Sequence, residues 1–127
     1  MAKARALTLI LPFPPSMNSY WRHVGEKVLI SEKGRAYRKA VIDCIWQVVG
    51  AKQFGDARVA VTLQLIPPDR RKRDIDNFNK ALFDALSHAG IWNDDEQIDD
   101  LHVIKQPANK TAAMVRVVIT DLAQIAV

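Results

Sequence analysis

Apolar and polar positions alternate over residues 5–11, where Leu7, Leu9 and Leu11 share one side. They alternate again over 59–65, where Val59, Val61, Leu63 and Leu65 are interleaved with Ala60, Thr62 and Gln64. A period of two predicts strands, and Pro67-Pro68 ends the second one. Between them the period changes. Tyr37, Val41, Cys44, Ile45 and Val48 recur at helical spacing, with Ser31 as N-cap and Gly50 as stop. A second helix is predicted from Asn77 to Ala89, packing through Phe78, Leu82, Ala85, Leu86 and Ala89, capped by Asp76 or Asn77 and closed by Gly90. Residues 98–105 and 114–120 read as strands joined by Pro107-Ala108-Asn109-Lys110-Thr111, a separation that fits an antiparallel hairpin with a longer loop. Residues 12–30 hold three prolines and no period, which predicts a long loop with a small hairpin around Gly25. The order β-α-β-α-β-β predicts one α/β (α+β) domain over 1–127: a small mixed sheet with two principal helices packed on it, its middle strand–helix–strand a crossover.

Composition narrows the function. The chain of 127 residues is 49% hydrophobic and 25% charged, ordinary for a globular domain, with a formal charge of +4. The distribution of that charge matters more than its size. Residues 1–43 carry eight Lys or Arg against three acids, whereas 84–100 carry six acids and no Lys or Arg. The result is an acidic spot in a basic surround. No apolar run approaches a membrane span. Leu7 to Leu11 stops at Pro12 and reads as a strand rather than a signal peptide, so a cytoplasmic address without membrane association is expected. The single cysteine, Cys44, can form neither an internal disulfide nor a thiolate cage and is expected to be a buried structural thiol.

The chemistry gathers in Arg70-Arg71-Lys72-Arg73-Asp74-Ile75-Asp76-Asn77, where four cations run into two carboxylates spaced i, i+2. Arginine suits forked phosphate contacts. In extended backbone Asp74 and Asp76 would point to one side, and a hard divalent cation would relieve their repulsion. Helix caps and turns produce Asp-x-Asp too. A second cluster, Asn93-Asp94-Asp95-Glu96, follows the helix, and Asp94 or Asp95 reaches the first pair only if the chain doubles back, with Ile91-Trp92 as the anchor for that return. Otherwise Asp94, Asp95, Glu96, Asp99 and Asp100 form a solvated acidic face. Lys80 stands four residues after Asp76 and four before Asp84, which gives either a pair of i, i+4 salt bridges or a cation for a scissile phosphate. On the first helix Arg35, Arg38 and Lys39 fall mostly off the apolar stripe, available to water or phosphate. The combination suggests metal-assisted work on a nucleic-acid backbone.

At these residues the chain resembles the RusA family of Holliday junction resolvases. The likeness runs from Pro14-Pro15-Ser16-Met17-Asn18, with Tyr20 and Arg22, through Pro68-Asp69-Arg70-Arg71-Lys72-Arg73-Asp74-Ile75-Asp76-Asn77, and on through Lys80, Phe83-Asp84-Ala85-Leu86, Ala89-Gly90, Trp92 and Asp94-Asp95. The resemblance implies a homodimeric α/β enzyme that uses Mg²⁺, with Mn²⁺ as a substitute, to nick two strands of a four-way DNA junction symmetrically. It implies catalytic and metal-binding roles for Asp74, Asp76 and Asp95, with Lys80 as the essential lysine. Asn77, Asp94 and Asn18 are supporting positions. Arg70, Arg71, Lys72 and Arg73 are expected on flanking DNA, joined by Arg22, Arg35, Arg38 and Lys39. Tyr20, Trp21 and the tail Leu122–Val127 are the candidate dimer patch, with Trp46 either core or surface. A less selective flap or branched-DNA nuclease, or a nucleic-acid-binding module without catalysis, are the competing readings.

Overall fold

The strand of strict alternation becomes the centre of the sheet. In the computed structural model, which describes residues 6–48 and 54–124, β4 (Val59–Ile66) is buried at every second residue. The other strands are β1 (Ala6–Leu11), β2 (Trp21–Val24), β3 (Lys27–Ile30), β5 (Ile98–Lys105) and β6 (Met114–Asp121). The helices are α1 (Met17–Tyr20), α2 (Glu32–Val48) and α3 (Asn79–His88). The main sheet runs β1-β6-β4-β5, and β2-β3 is a separate antiparallel ribbon. Leu9, Val117, Leu63 and Val103 face one another in one row across all four strands. Tyr37, Val41 and Ile45 of α2 and Ala81, Leu82, Ala85 and Leu86 of α3 are buried in the same core. The mixed α/β architecture read from periodicity is therefore present, with a short helix and the hairpin inside the aperiodic segment.

Three expectations change and one open choice is settled. Residues 98–105 and 114–120 do not pair as a hairpin. β5 lies parallel to β4 on one side, and β6 lies antiparallel to β4 on the other. The parallel pair is joined through α3, as parallel neighbours require. Residues 106–113 then cross the end of β4, where Gln106 N–H donates to Leu65 O at 2.8 Å and Asn109 N–H to Pro67 O at 2.8 Å. The second helix begins at Asn79 rather than Asn77: its N-cap position is Phe78, with no side-chain cap. Asp76 and Asn77 therefore belong to a turn closed by Asn77 N–H on Asp74 O at 3.1 Å. Tyr20 is wholly buried and is not part of a surface patch. Trp46 is 58% exposed, which answers the choice between core and surface.

Ser31 caps α2 as expected, its hydroxyl accepting Gly34 N–H at 3.0 Å. Cys44 is a free thiol, half-buried against the core rather than fully enclosed. Gly50 and residues 125–127 lie outside the described residues. No described helix is long and apolar enough to cross a membrane.

Candidate active site

The basic run folds around a residue that periodicity did not single out, Asp69. Its carboxylate accepts Arg71 N–H at 3.0 Å and pairs with Arg73 Nη1 at 2.8 Å. The hydrogen bond from Arg73, then that from the Arg71 backbone, holds the Asp69 carboxyl below the ordinary range. The Arg73 side chain is only 15% exposed, lies over the Phe13 ring at 5.7 Å, and donates to Asp69 O at 3.0 Å. Lys105 from β5 donates to Arg73 O at 2.7 Å. Arg73 is thus the inward strut of the loop. Arg70, Arg71 and Lys72 stay exposed.

Asp74 and Asp76 follow at once, both exposed. They sit in a turn, not in extended backbone, and neither caps the helix. Among the described residues neither carboxylate has a hydrogen-bond or ion-pair partner, so the capping explanation for this pair fails. Asp74 lines a cleft of about 560 Å³ together with Arg71, Lys72, Phe13, Pro14 and Ser16. Asn77 serves this loop through its backbone: its carbonyl accepts Met17 N–H at 2.8 Å, tying α1 to the turn. Asn18 is exposed on α1, one residue on.

The second acidic cluster turns back onto α3, where Asp95 meets Lys80. Gly90 takes φ 83°, the left-handed region that favours glycine at a helix end. Ile91 and Trp92 are then driven into the core, at 0% and 1% exposure. Trp92 Nε1 donates to Ser87 Oγ at 2.7 Å, which satisfies the indole in that burial. Asp94 caps the single turn 95–97, accepting Glu96 N–H at 3.1 Å. That bond, with help from Asp95, keeps the Asp94 carboxyl below its ordinary range. Gln97 completes the capping box. Its Oε1 accepts Asn93 and Asp94 N–H, each at 2.9 Å, and its buried Nε2 donates to Gly55 O at 2.7 Å and Ala57 O at 2.8 Å. The acidic run is therefore a built turn that presents Asp95, with Arg58 bridging Glu96 and Asp99 behind it.

Asp95 meets Lys80, Nζ to Oδ2 at 3.3 Å. Of the two readings that the spacing left open, the i, i+4 bridges do not form. Asp76 is not on the helix, and Asp84 is taken by others: Arg38 Nη2 at 2.7 Å, Arg38 Nε at 2.9 Å and the Tyr20 hydroxyl. Burial, then the hydrogen bond to Asp84, pushes the Tyr20 phenol above its ordinary range. Lys80, Asp84, Asp94 and Asp95 line one cavity of about 200 Å³ with Trp21.

The remaining expected DNA contacts divide. Arg22 is exposed on β2, Arg35 is exposed while donating to Ile30 O at 3.2 Å, and Lys39 is exposed beside Asp43 at 3.4 Å. Arg38 points inward, its side chain 22% exposed. Gln97 is the residue that sequence reasoning missed, while Tyr20, Asp69 and Asp84 stood within the quoted motifs without any sign of the contacts they make. A buried tyrosine and an unpaired-looking Asp on a helix give no periodic signal of their own.

Among the described residues no three Asp, Glu, His or Cys side chains stand close enough to hold an ion together. Asp74, Asp76 and Asp95 are thus not gathered into one cage within the chain. The donor chemistry still suits a hard cation, because Mg²⁺ is bound through one or two carboxylates plus substrate phosphates rather than through an all-protein cage. Exposed carboxylates without partners beside outward cations are that kind of donor set.

Fold and site together define a small α/β protein with free carboxylates beside an exposed basic loop. Comparison with known proteins narrows this further. The Endodeoxyribonuclease RusA family profile matches residues 12–120. The chain is 46% identical over 96 residues to the crossover junction endodeoxyribonuclease rusA of Enterobacteria phage HK97, covering 76% of this chain and 79% of that protein. It is 43% identical over 104 residues to the crossover junction endodeoxyribonuclease RusA of Shigella sonnei, covering 81% of this chain and 85% of the relative. With the Escherichia coli K12 protein of the same name it shares 42% over 104 residues. The chain belongs to the RusA family of endodeoxyribonucleases.

Proposed function

We propose that this protein resolves Holliday junctions, cutting four-way DNA by paired symmetric nicks with a divalent cation, Mg²⁺ or Mn²⁺, as cofactor. The observation that carries the reading is the pairing of Asp95, from the turn before β5, with Lys80 on the helix that follows the unpartnered Asp74 and Asp76. Asp74, Asp76 and Asp95 would hold the cation, which suits their oxygen chemistry. When bound, the cation supplies an activated water and neutralises charge on the phosphate. The chain's own residues do the rest. Lys80 offers its ammonium to the phosphate or to the leaving oxygen, and Asp95 keeps it in place until DNA arrives. Arg70, Arg71 and Lys72 hold the flanking backbone, with Arg22 and Arg35 extending the basic track. Arg73 shapes the loop that presents them.

Two cuts related by symmetry call for two sites related by symmetry, and one chain has room for one. A C₂ homodimer supplies both.

The test uses purified protein with a synthetic four-way junction, a flap and a linear duplex, each with Mg²⁺ and with EDTA. Paired nicks at symmetric positions in the junction, lost in EDTA, are expected, from a protein of twice the chain mass in solution. Cleavage that persists in EDTA would overturn the metal-assisted reading. Equal cutting of the flap would place the protein among less selective branched-DNA nucleases.

A further inference from the structure

Lys80 has two carboxylates within the reach of a lysine side chain. Asp84 lies one turn along α3, the spacing at which side chains on a helix meet. Asp95 comes from the turn before β5. All three line the same cavity, and Lys80 chooses Asp95. The reason lies in what holds Asp84. Its Oδ2 takes two nitrogens of Arg38 and the hydroxyl of Tyr20, while among the described residues Oδ1 has only His88 Nε2 at 3.9 Å. Arg38 Nε also donates to the Tyr20 oxygen at 3.0 Å, so the three residues form a closed triangle. Arg38 and Asp84 are 22% and 25% exposed, which sets this pair apart from the solvated ion pairs elsewhere on the surface.

We propose that Arg38 and Tyr20 are positioning residues: by compensating the Asp84 charge through Oδ2 they leave Lys80 to Asp95 and keep its ammonium at the reacting phosphate. This rests on the functional reading above. Without Arg38, Asp84 carries an uncompensated charge one helical turn from Lys80, and the lysine is drawn back along α3, away from Asp95. Tyr20 also links the network to the other half of the site. It ends α1, whose first residue, Met17, is hydrogen-bonded to the Asn77 carbonyl beside Asp74 and Asp76. Its own carbonyl accepts Ser31 N–H at 2.9 Å, and the Ser31 hydroxyl lies between the Ser19 and Tyr20 carbonyls at 2.5 and 2.9 Å. Gly34 lets this contact close: a Cβ there would stand 2.5 Å from Tyr20 O. The four-residue helix is therefore a brace between the loop with the free carboxylates and the lysine.

The distinguishing experiment is a suppressor. Single-turnover cleavage and junction affinity are measured for Arg38→Met, Asp84→Asn and the double variant, with Lys80→Ala and Asp95→Asn as references. Arg38→Met is expected to slow cleavage by about tenfold or more with junction affinity within about twofold of the parent, the signature of a loss felt only in the chemical step. Asp84→Asn alone should cleave near the parent rate. Combined with Arg38→Met, it should restore cleavage to within about threefold, because the competing charge is gone. A merely structural triangle predicts the reverse, the double variant being as slow as Arg38→Met or slower. That result, or a fall in affinity matching the fall in rate, overturns the proposal. If Arg38→Met fails to fold, Arg38→Lys and Tyr20→Phe take its place, each expected several-fold slower and each restored by Asp84→Asn. Lys80→Ala and Asp95→Asn separate the two levels. Parent-like cleavage in both sinks the functional reading, whereas their inactivity beside an unaffected Arg38→Met sinks this inference alone.

Discussion

Asp74 and Asp76 carry charges that the fold does not use. An aspartate that caps a helix can be replaced at a cost in stability, but these two cap nothing and pair with nothing among the described residues. Asp74→Asn should therefore leave the melting temperature unchanged while lowering cleavage by on the order of 10²–10³-fold, the range for loss of one group that stabilises developing charge. Junction affinity should hold or rise, since a negative charge is removed beside DNA. A gel-shift and nicking assay on one preparation reads both, and parallel loss of binding and cleavage would contradict the assignment. The sequence pattern was informative about which residue types meet but not about which partner each chooses. Asp76, Lys80 and Asp84 stand four apart, and that spacing alone suggested two salt bridges. Neither forms, because the helix starts at Asn79 and because Arg38, from another helix, has taken Asp84. Such a choice is decided by tertiary contact, and no local rule contains it.

Elements differ in how far local pattern determines them. β4 and α3 were legible because each buries one face, and the period of burial is written in the residue types. The pairing of β5 was not. Its residues alternate poorly, its burial is slight, and it forms an edge of the sheet against β4 alone. A strand with so little of its own face in the core gives no sign of direction, and the eight residues 106–113 can serve a long-looped hairpin as readily as the crossing they make. The turn before β5 was legible only in part. Asp94-Asp95-Glu96 stood out as acids, but the residue that builds the turn is Gln97, 5% exposed and hydrogen-bonded through both ends of its amide. Gln97→Leu matches its size and removes every one of those bonds, leaving the carbonyls of Gly55 and Ala57 with one fewer donor. It should destabilise the fold by about 1–3 kcal/mol, the cost of unsatisfied buried polar groups. Because the turn presents Asp95, cleavage should fall at temperatures where the variant is still fully folded. Chemical denaturation alongside a cleavage assay separates the two effects, and a loss of stability with unchanged cleavage would show that Asp95 is placed by something else.

The whole molecule answers to pH at two limits. Asp69, Asp94 and Asp99 are held below the ordinary carboxylate range, chiefly by Arg73, by the Glu96 N–H and by Arg58 respectively. A carboxyl with a lowered folded pKa contributes stability that is present above its unfolded value and is lost as pH falls through the folded one. These three groups are solvent-exposed, so the acid limb, below about pH 4, should be shallow. The phenols act in the other direction. Burial raises both Tyr20 and Tyr37 above their ordinary range, and the Asp84 carboxylate raises Tyr20 further. A raised phenol keeps its proton in the fold after the unfolded chain has released it, so its contribution is complete below about pH 10 and is lost as pH climbs beyond that value. Thermal midpoints measured across pH should therefore form a plateau, with a gentle acid shoulder and a steep alkaline fall. Tyr37 donates to Pro12 O at 2.8 Å and belongs to the core rather than to the site. Tyr37→Phe should lower the plateau by the value of that hydrogen bond, about 1 kcal/mol, and flatten the alkaline limb relative to the parent, with cleavage at neutral pH little changed. An alkaline limb of unaltered steepness in Tyr37→Phe would mean that its burial does not set that limit, and would leave the fall to Tyr20 and the Asp84 triangle that steadies Lys80.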